Sequence, residues 1–98
     1  MIKKSYSKTG RSCRVTFEIP PEVRAEKAHL CGTFNDWDRA SHRMTRLKDG
    51  GFSLTISLKP GQEYAFRYLL DNQRWENDAA ADAQQPNPFG GNNSVVRV

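Results

Sequence analysis

The sequence predicts an all-β sandwich of about six to eight short antiparallel strands. Three observations point there. Apolar residues recur at every second position along most of the chain. Clusters of Gly, Pro, Asn and Asp interrupt that alternation at short intervals. No segment of useful length carries the period of an amphipathic helix.

The first 14 residues hold five basic side chains and no acid: Lys3, Lys4, Lys8, Arg11 and Arg14. They read as a solvated strand edge whose lysines discourage unwanted sheet pairing. The competing reading is a weak anion-attracting end. Over 13–19, Cys13, Val15, Phe17 and Ile19 alternate with Arg14, Thr16 and Glu18, the pattern of a half-buried strand. Pro20-Pro21 ends it, because neither proline can donate to a ladder. The second strand runs about 27–33 with Ala28, Leu30 and Gly32 inward. The chain then leaves it as a loop, Phe34-Asn35-Asp36-Trp37-Asp38.

A short strand is expected at 43–47, followed by Lys48-Asp49-Gly50-Gly51, a hairpin turn tolerant of positive φ. The return strand points Phe52, Leu54, Ile56 and Leu58 inward. After the Pro60-Gly61 turn, strand 63–70 places Tyr64, Phe66, Tyr68 and Leu70 on one face and Ala65, Arg67 and Leu69 on the other. Asp71-Asn72-Gln73-Arg74 turns the chain, and Arg74-Trp75-Glu76 is a short extension. Residues 77–92 read as one long polar loop. The last strand is 93–98, with Val96 and Val98 inward and Asn93, Val95 and Arg97 outward.

The 98 residues suit one domain, 1–98, with a basic segment at 1–11 and the core in 12–98. Such a length buries roughly 65% of its unfolded surface, so the core is thin. No apolar run approaches the ~20 residues of a membrane helix. The basic N-terminus lacks the apolar stretch of a secretory signal, which makes the cytoplasm the expected address. Two cysteines, Cys13 and Cys31, are too few for a disulfide scaffold. His29 and Cys31 share a strand face at a spacing a metal uses, but zinc needs three or four ligands and no further pair stands nearby. No metal or cofactor is expected. Asn92-Asn93-Ser94 matches a glycosylation sequon, which matters only in a secreted chain.

Enzymatic readings find no footing. There is no nucleophile elbow and no Gly-rich phosphate loop. Glycoside hydrolysis needs two carboxylates flanking a cleft. Asp36 and Asp38 sit in a loop, and Asp71, Asp78 and Asp82 suit turns, where Asx side chains mimic the backbone.

The aromatic residues say more. Trp37 and Trp75 lie in the polar settings Asn-Asp-Trp-Asp and Gln-Arg-Trp-Glu-Asn, and neither continues an inward strand pattern. An indole there offers a flat apolar face and one N–H donor, which suits the C–H face and hydroxyl rim of a pyranose. A Trp packed between two sheets is the alternative for each. Arg67 and Asn93 both project outward from their strands. If those strands are neighbours, the two side chains and the two indoles share one open surface. Taken singly, Arg67 reads as a solvated charge and Asn93 as a residue entering a strand from a turn.

Three blocks carry a family resemblance: Leu30-Cys31-Gly32-Thr33-Phe34-Asn35-Asp36-Trp37; Tyr64-Ala65-Phe66-Arg67-Tyr68-Leu69-Leu70-Asp71; and Trp75-Glu76-Asn77-Asp78 with Asn87-Pro88-Phe89-Gly90-Gly91-Asn92-Asn93-Ser94-Val95-Val96. Over about residues 12–98 the chain resembles the early-set glycan-binding domain, carbohydrate-binding module family forty-eight, also called the isoamylase N-terminal domain. This domain type occurs in the β subunit of AMP-activated protein kinase and ahead of the catalytic barrel in branching and debranching enzymes. The resemblance implies an immunoglobulin-like sandwich that binds α-1,4-glucan, such as glycogen, starch or a malto-oligosaccharide, without catalysis.

By motif position the stacking tryptophans of the kinase-type members fall on Trp37 and Trp75, their basic residue on Arg67 and their asparagine on Asn93. Phe89 is the nearest match to a bulky loop residue that also touches sugar. Two departures stand out. The turn between Asp71 and Trp75 is one residue longer than the usual Asp-Gly hairpin, and arginine replaces lysine at Arg67. The alternative is a protein-interaction module that docks a carbohydrate-metabolism enzyme or kinase. Nucleic acid is a poor fit, since the aromatic-bearing loops also carry acids, and no membrane partner is expected.

Overall fold

A computed structural model describes residues 2–88 and 91–98. Nine strands are present among them. They are β1 (Ile2–Tyr6), β2 (Cys13–Ile19), β3 (Ala28–Gly32), β4 (Thr45–Arg46), β5 (Phe52–Leu58), β6 (Glu63–Leu70), β7 (Arg74–Glu76), β8 (Ala83–Asn87) and β9 (Gly91–Arg97). Short 3-10 turns occupy Pro21–Val23 and Thr33–Asn35. All strand pairings are antiparallel.

The strands form two sheets. One has the order β1-β2-β5-β4 and the other β3-β6-β9-β8, with β7 also on β6. The inward residues expected from the alternation do meet between them. Val15, Phe17, Leu30, Phe52, Phe66, Leu70 and Val96 are buried in one cluster. Phe66 makes edge-to-face contacts with Phe17 across the sandwich (5.0 Å) and with Tyr68 (5.6 Å). The molecule's 23 Å short axis fits two stacked sheets ~10 Å apart, plus their outward side chains.

Two expectations need correction. Residues 77–92 are not one loop, because β8 lies within them and pairs with β9 from Ala83↔Val95 to Asn87↔Gly91. The last strand accordingly starts at Gly91 rather than 93. The sequence of β8, Ala-Gln-Gln-Pro-Asn, has no β-branched or aromatic residue and includes Pro86. Such a segment shows no strand signal of its own. It sits at the sheet edge, where a proline costs no ladder bond. The N-terminal basic segment supplies the edge strand β1, with Lys3 against Glu18 and Lys4 against Asp82 at 2.7 Å.

Backbone geometry is most demanding around the loop after β3. A Cβ on Gly32 would come within 2.5 Å of the Ala65 carbonyl oxygen and 2.8 Å of the Phe34 ring, so only glycine fits. At the other hairpin, Gly50 takes φ 93 and Asp49 Oδ1 accepts the Gly51 N–H at 2.8 Å. That is the Asp-Gly turn read from the sequence.

Candidate functional site

The outer face of the β3-β6-β9-β8 sheet carries the residues of interest. Parity puts Cys31, Arg67, Leu69, Asn93 and Val95 on this side. Cys31, Leu69 and Val95 are buried although they lie outside the core between the sheets. Something therefore covers this face. Part of the cover is the loop after β3, because the Cys31 thiol donates to the Asp38 carbonyl at 3.3 Å. Burial pushes the Cys31 thiol up, so it stays protonated at neutral pH.

Asn35 shapes that loop. Its Oδ1 accepts the Gly32 N–H (3.0 Å), and its Nδ2 donates to the Leu30 carbonyl (3.0 Å). The chain then passes through two left-handed residues, Asp36 (φ 54) and Trp37 (φ 59), with the Trp37 N–H on the Gly32 carbonyl at 2.9 Å. A left-handed tryptophan costs about 1 kcal/mol or more. The loop's hydrogen bonds offset that cost and hold Trp37 where it is.

Trp75 arrives by a different route. β9 and β7 share one edge of β6, with β9 along Glu63–Phe66 and β7 along Tyr68–Leu70. Arg67 stands between those two pairings. The hairpin from β6 to β7 turns through left-handed Asp71 (φ 51) and Asn72 (φ 58), and the Gln73 N–H closes it on the Leu70 carbonyl. Leu70 then pairs with Arg74 and Leu69 with Trp75, which leaves Gln73 as one extra residue on the returning side. The pairing with Leu69 puts Trp75 on the outer face beside Arg67. A two-residue turn would pair Trp75 with Tyr68 and point it inward.

These segments enclose a groove of about 630 Å³ lined by Trp37, Arg39, Arg67, Trp75, Asn87, Pro88 and Asn93. Four of the five residues singled out from the sequence therefore come together. The fifth, Phe89, lies outside the described residues. Trp37, Arg67, Trp75 and Asn93 are each half-buried. Neither indole belongs to the core cluster.

Two arginines stand close to the Trp75 ring. The guanidinium carbons of Arg67 and Arg39 stand 5.4 Å and 5.6 Å from its ring centre, within cation–π range. Arg67 Nε is buried without a hydrogen-bond partner among the described residues. Asn87 Nδ2 donates to Asn93 Oδ1 at 3.3 Å, which orients the Asn93 amide. Arg39, Asn87 and Pro88 were not legible from the sequence. Arg39 follows Trp37 by two positions, but only the left-handed bend at 36–37 brings it over the other indole.

Of the remaining polar residues, His29 has its Nδ1 buried without a partner, and burial with nearby Arg43 and Lys27 holds its pKa down. No three His, Cys, Asp or Glu side chains come together among the described residues.

The fold and the groove define a small β-sandwich binding module. The family model for carbohydrate-binding module 48 (isoamylase N-terminal domain) matches residues 22–83, and the chain belongs to that family. It is also similar to the amylopullulanase of Thermoanaerobacterium thermosulfurigenes, 26% identical over 88 residues. That match covers 87% of this chain and 4% of the amylopullulanase. Family membership establishes carbohydrate binding in general as the function of this type of domain.

Proposed function

We propose that the groove binds α-1,4-glucan of the glycogen or starch type, stacking glucose units on Trp37 and Trp75 and performing no chemistry on them. One observation carries this reading: both indoles lie outside the core and line one groove with Arg67 and Asn93. Two further features support it. Trp37 is held in a left-handed backbone conformation, and strain of this kind gathers at binding sites. No Asp or Glu is among the groove's described lining residues, whereas glycoside hydrolysis needs two carboxylates.

Each indole face is worth about 1–2 kcal/mol. A few hydrogen bonds to sugar hydroxyls add about 1 kcal/mol apiece, and ordering a flexible glucan takes part of this back. A net of about 4–6 kcal/mol corresponds to a Kd from the millimolar to the tens-of-micromolar range. Such a module works best on a polymer, where neighbouring sites raise residence.

The test is retention on a glycogen or amylose affinity gel, with circular dichroism as the folding control. Trp75→Ala and Trp37→Gly are each expected to abolish retention. Glycine accepts the left-handed φ at 37, so Trp37→Gly should keep stability within about 1 kcal/mol of the parent. Wild-type retention by both variants would remove the proposal.

A further inference from the structure

The groove holds far more hydrogen-bond donors than acceptors, and this bears on which glucan it takes (an inference that rests on the glucan reading above). Its described lining residues include two arginines and no carboxylate. A guanidinium carries five N–H donors and no acceptor. Among the described residues, neither Arg39 nor Arg67 has an ion-pair partner. Among the same residues Arg67 Nε has no hydrogen-bond partner. On the acceptor side, Asn93 Oδ1 already takes a bond from Asn87 Nδ2.

A neutral glucose hydroxyl accepts a bond from a guanidinium, but its own proton then needs an acceptor. This groove supplies few. A phosphate monoester has the opposite character, with three strong acceptor oxygens and a charge of about −1.5 to −2 at neutral pH. That charge is matched by two guanidinium groups 5.4 Å and 5.6 Å from one indole centre. Arginine also binds phosphate oxygens two at a time, which the point charge of a lysine does not.

We propose that the groove prefers α-glucan bearing phosphate monoesters to the neutral polymer, with Arg39 and Arg67 binding the phosphate around the Trp75 platform. A polynucleotide also combines phosphate with stacking rings. It suits this surface less well, because Asp36 and Asp38 are exposed on either side of Trp37 in the chain. A polyanion charged at every unit meets those acids, whereas a sparsely phosphorylated glucan does not.

The experiment is a tryptophan-fluorescence titration of the folded chain with three probes. They are maltoheptaose, maltoheptaose carrying one 6-phosphate, and a single-stranded oligonucleotide. Each is run in low salt and in about 0.5 M NaCl, where the screening length falls to a few Å. The phosphorylated chain should bind roughly tenfold more tightly than the neutral one in low salt, as two exposed charge pairs allow. That advantage should vanish in high salt, while neutral binding stays constant. Arg39→Gln should bring the ratio of the two affinities toward one. Equal low-salt affinities for the two sugars overturn the phosphate preference and leave the glucan reading intact. Binding of neither sugar overturns both. Tighter binding of the oligonucleotide than of either sugar overturns the preference as well.

Discussion

Two grooves of nearly equal size lie on this molecule, and their polar groups are committed very differently. The tryptophan groove is about 630 Å³, and the second, where the end of β2 meets the segment after β7, is about 590 Å³. The second is walled by Ile19, Pro20, Val23, Tyr68, Ala79 and Ala80, with Glu18, Glu76, Asn77 and Asp78 among them. Several of its polar groups are engaged within the protein. The Tyr68 hydroxyl donates to Asp78 Oδ2 at 2.8 Å, and the Ala80 N–H donates to Asp78 Oδ1 at 2.8 Å. Ser94 Oγ donates to Asn77 Oδ1 at 3.0 Å and accepts the Asp78 N–H at 2.9 Å. Glu18 pairs with Lys3. In the tryptophan groove neither guanidinium has an ion-pair partner among the described residues. Volume alone does not separate a binding surface from a seam in the fold. The distinction is whether polar groups already have partners inside the protein.

The largest effect is expected from exchanging the two residues, Arg74→Trp together with Trp75→Arg. The pairing of Leu70 with position 74 and Leu69 with position 75 is kept, so the indole moves to the opposite face of β7 and a guanidinium takes its place beside Arg67. Glucan retention should disappear, and thermal stability should fall, because a bulky ring forced onto the inner side costs about 1–3 kcal/mol. Undiminished retention by the exchanged variant would show that the indole does not need its outward position.

Tyr68→Phe acts on the other groove. It removes the donor to a buried carboxylate, and it should lower stability by about 1–3 kcal/mol in denaturant unfolding. Glycogen retention should be unchanged. Burial and the Asp78 charge both push the Tyr68 hydroxyl far above its ordinary range, so it stays a donor at any working pH. A Tyr68→Phe variant that lost glucan retention while staying folded would assign function to the wrong groove.

The smallest effect is electrostatic and concerns the hairpin that carries Trp75. Asp71 Oδ1 accepts the backbone N–H groups of Lys27 (3.0 Å) and Glu26 (2.9 Å). These two bonds hold its carboxyl below the usual carboxylate range. Its folded pKa lies below its unfolded one, so its stabilising contribution is complete above about pH 4 and is lost as pH falls through the depressed value. Asp71→Asn keeps an acceptor and tolerates the left-handed φ but carries no charge. The variant should melt slightly below the parent at pH 7, and the gap should close in strong acid. Parallel melting curves from pH 7 down to pH 2 would assign the carboxylate no such role.

Much of this molecule is legible in the sequence, because a strand with one buried face must alternate. The inward sets of β2, β5 and β6, and the Asp-Gly turn before β5, follow from that period and from backbone sterics. The same parity put Arg67 and Asn93 outward. β8 was hidden, since Gln84, Gln85 and Pro86 have no strand preference and pair only because β9 offers an edge.

Side-chain period and turn chemistry are local properties, so the sandwich, its core and the outward direction of the polar candidates are written in the order of residues. That Trp37 and Trp75 share a groove, and that Arg39 joins them, follows from how distant segments meet. β7 and β9 divide one edge of β6, and the loop after β3 folds over the same face. The left-handed bend at 36–37 and the register of the 71–73 turn then aim the two indoles, and no pattern of apolar and polar residues records which segments become neighbours.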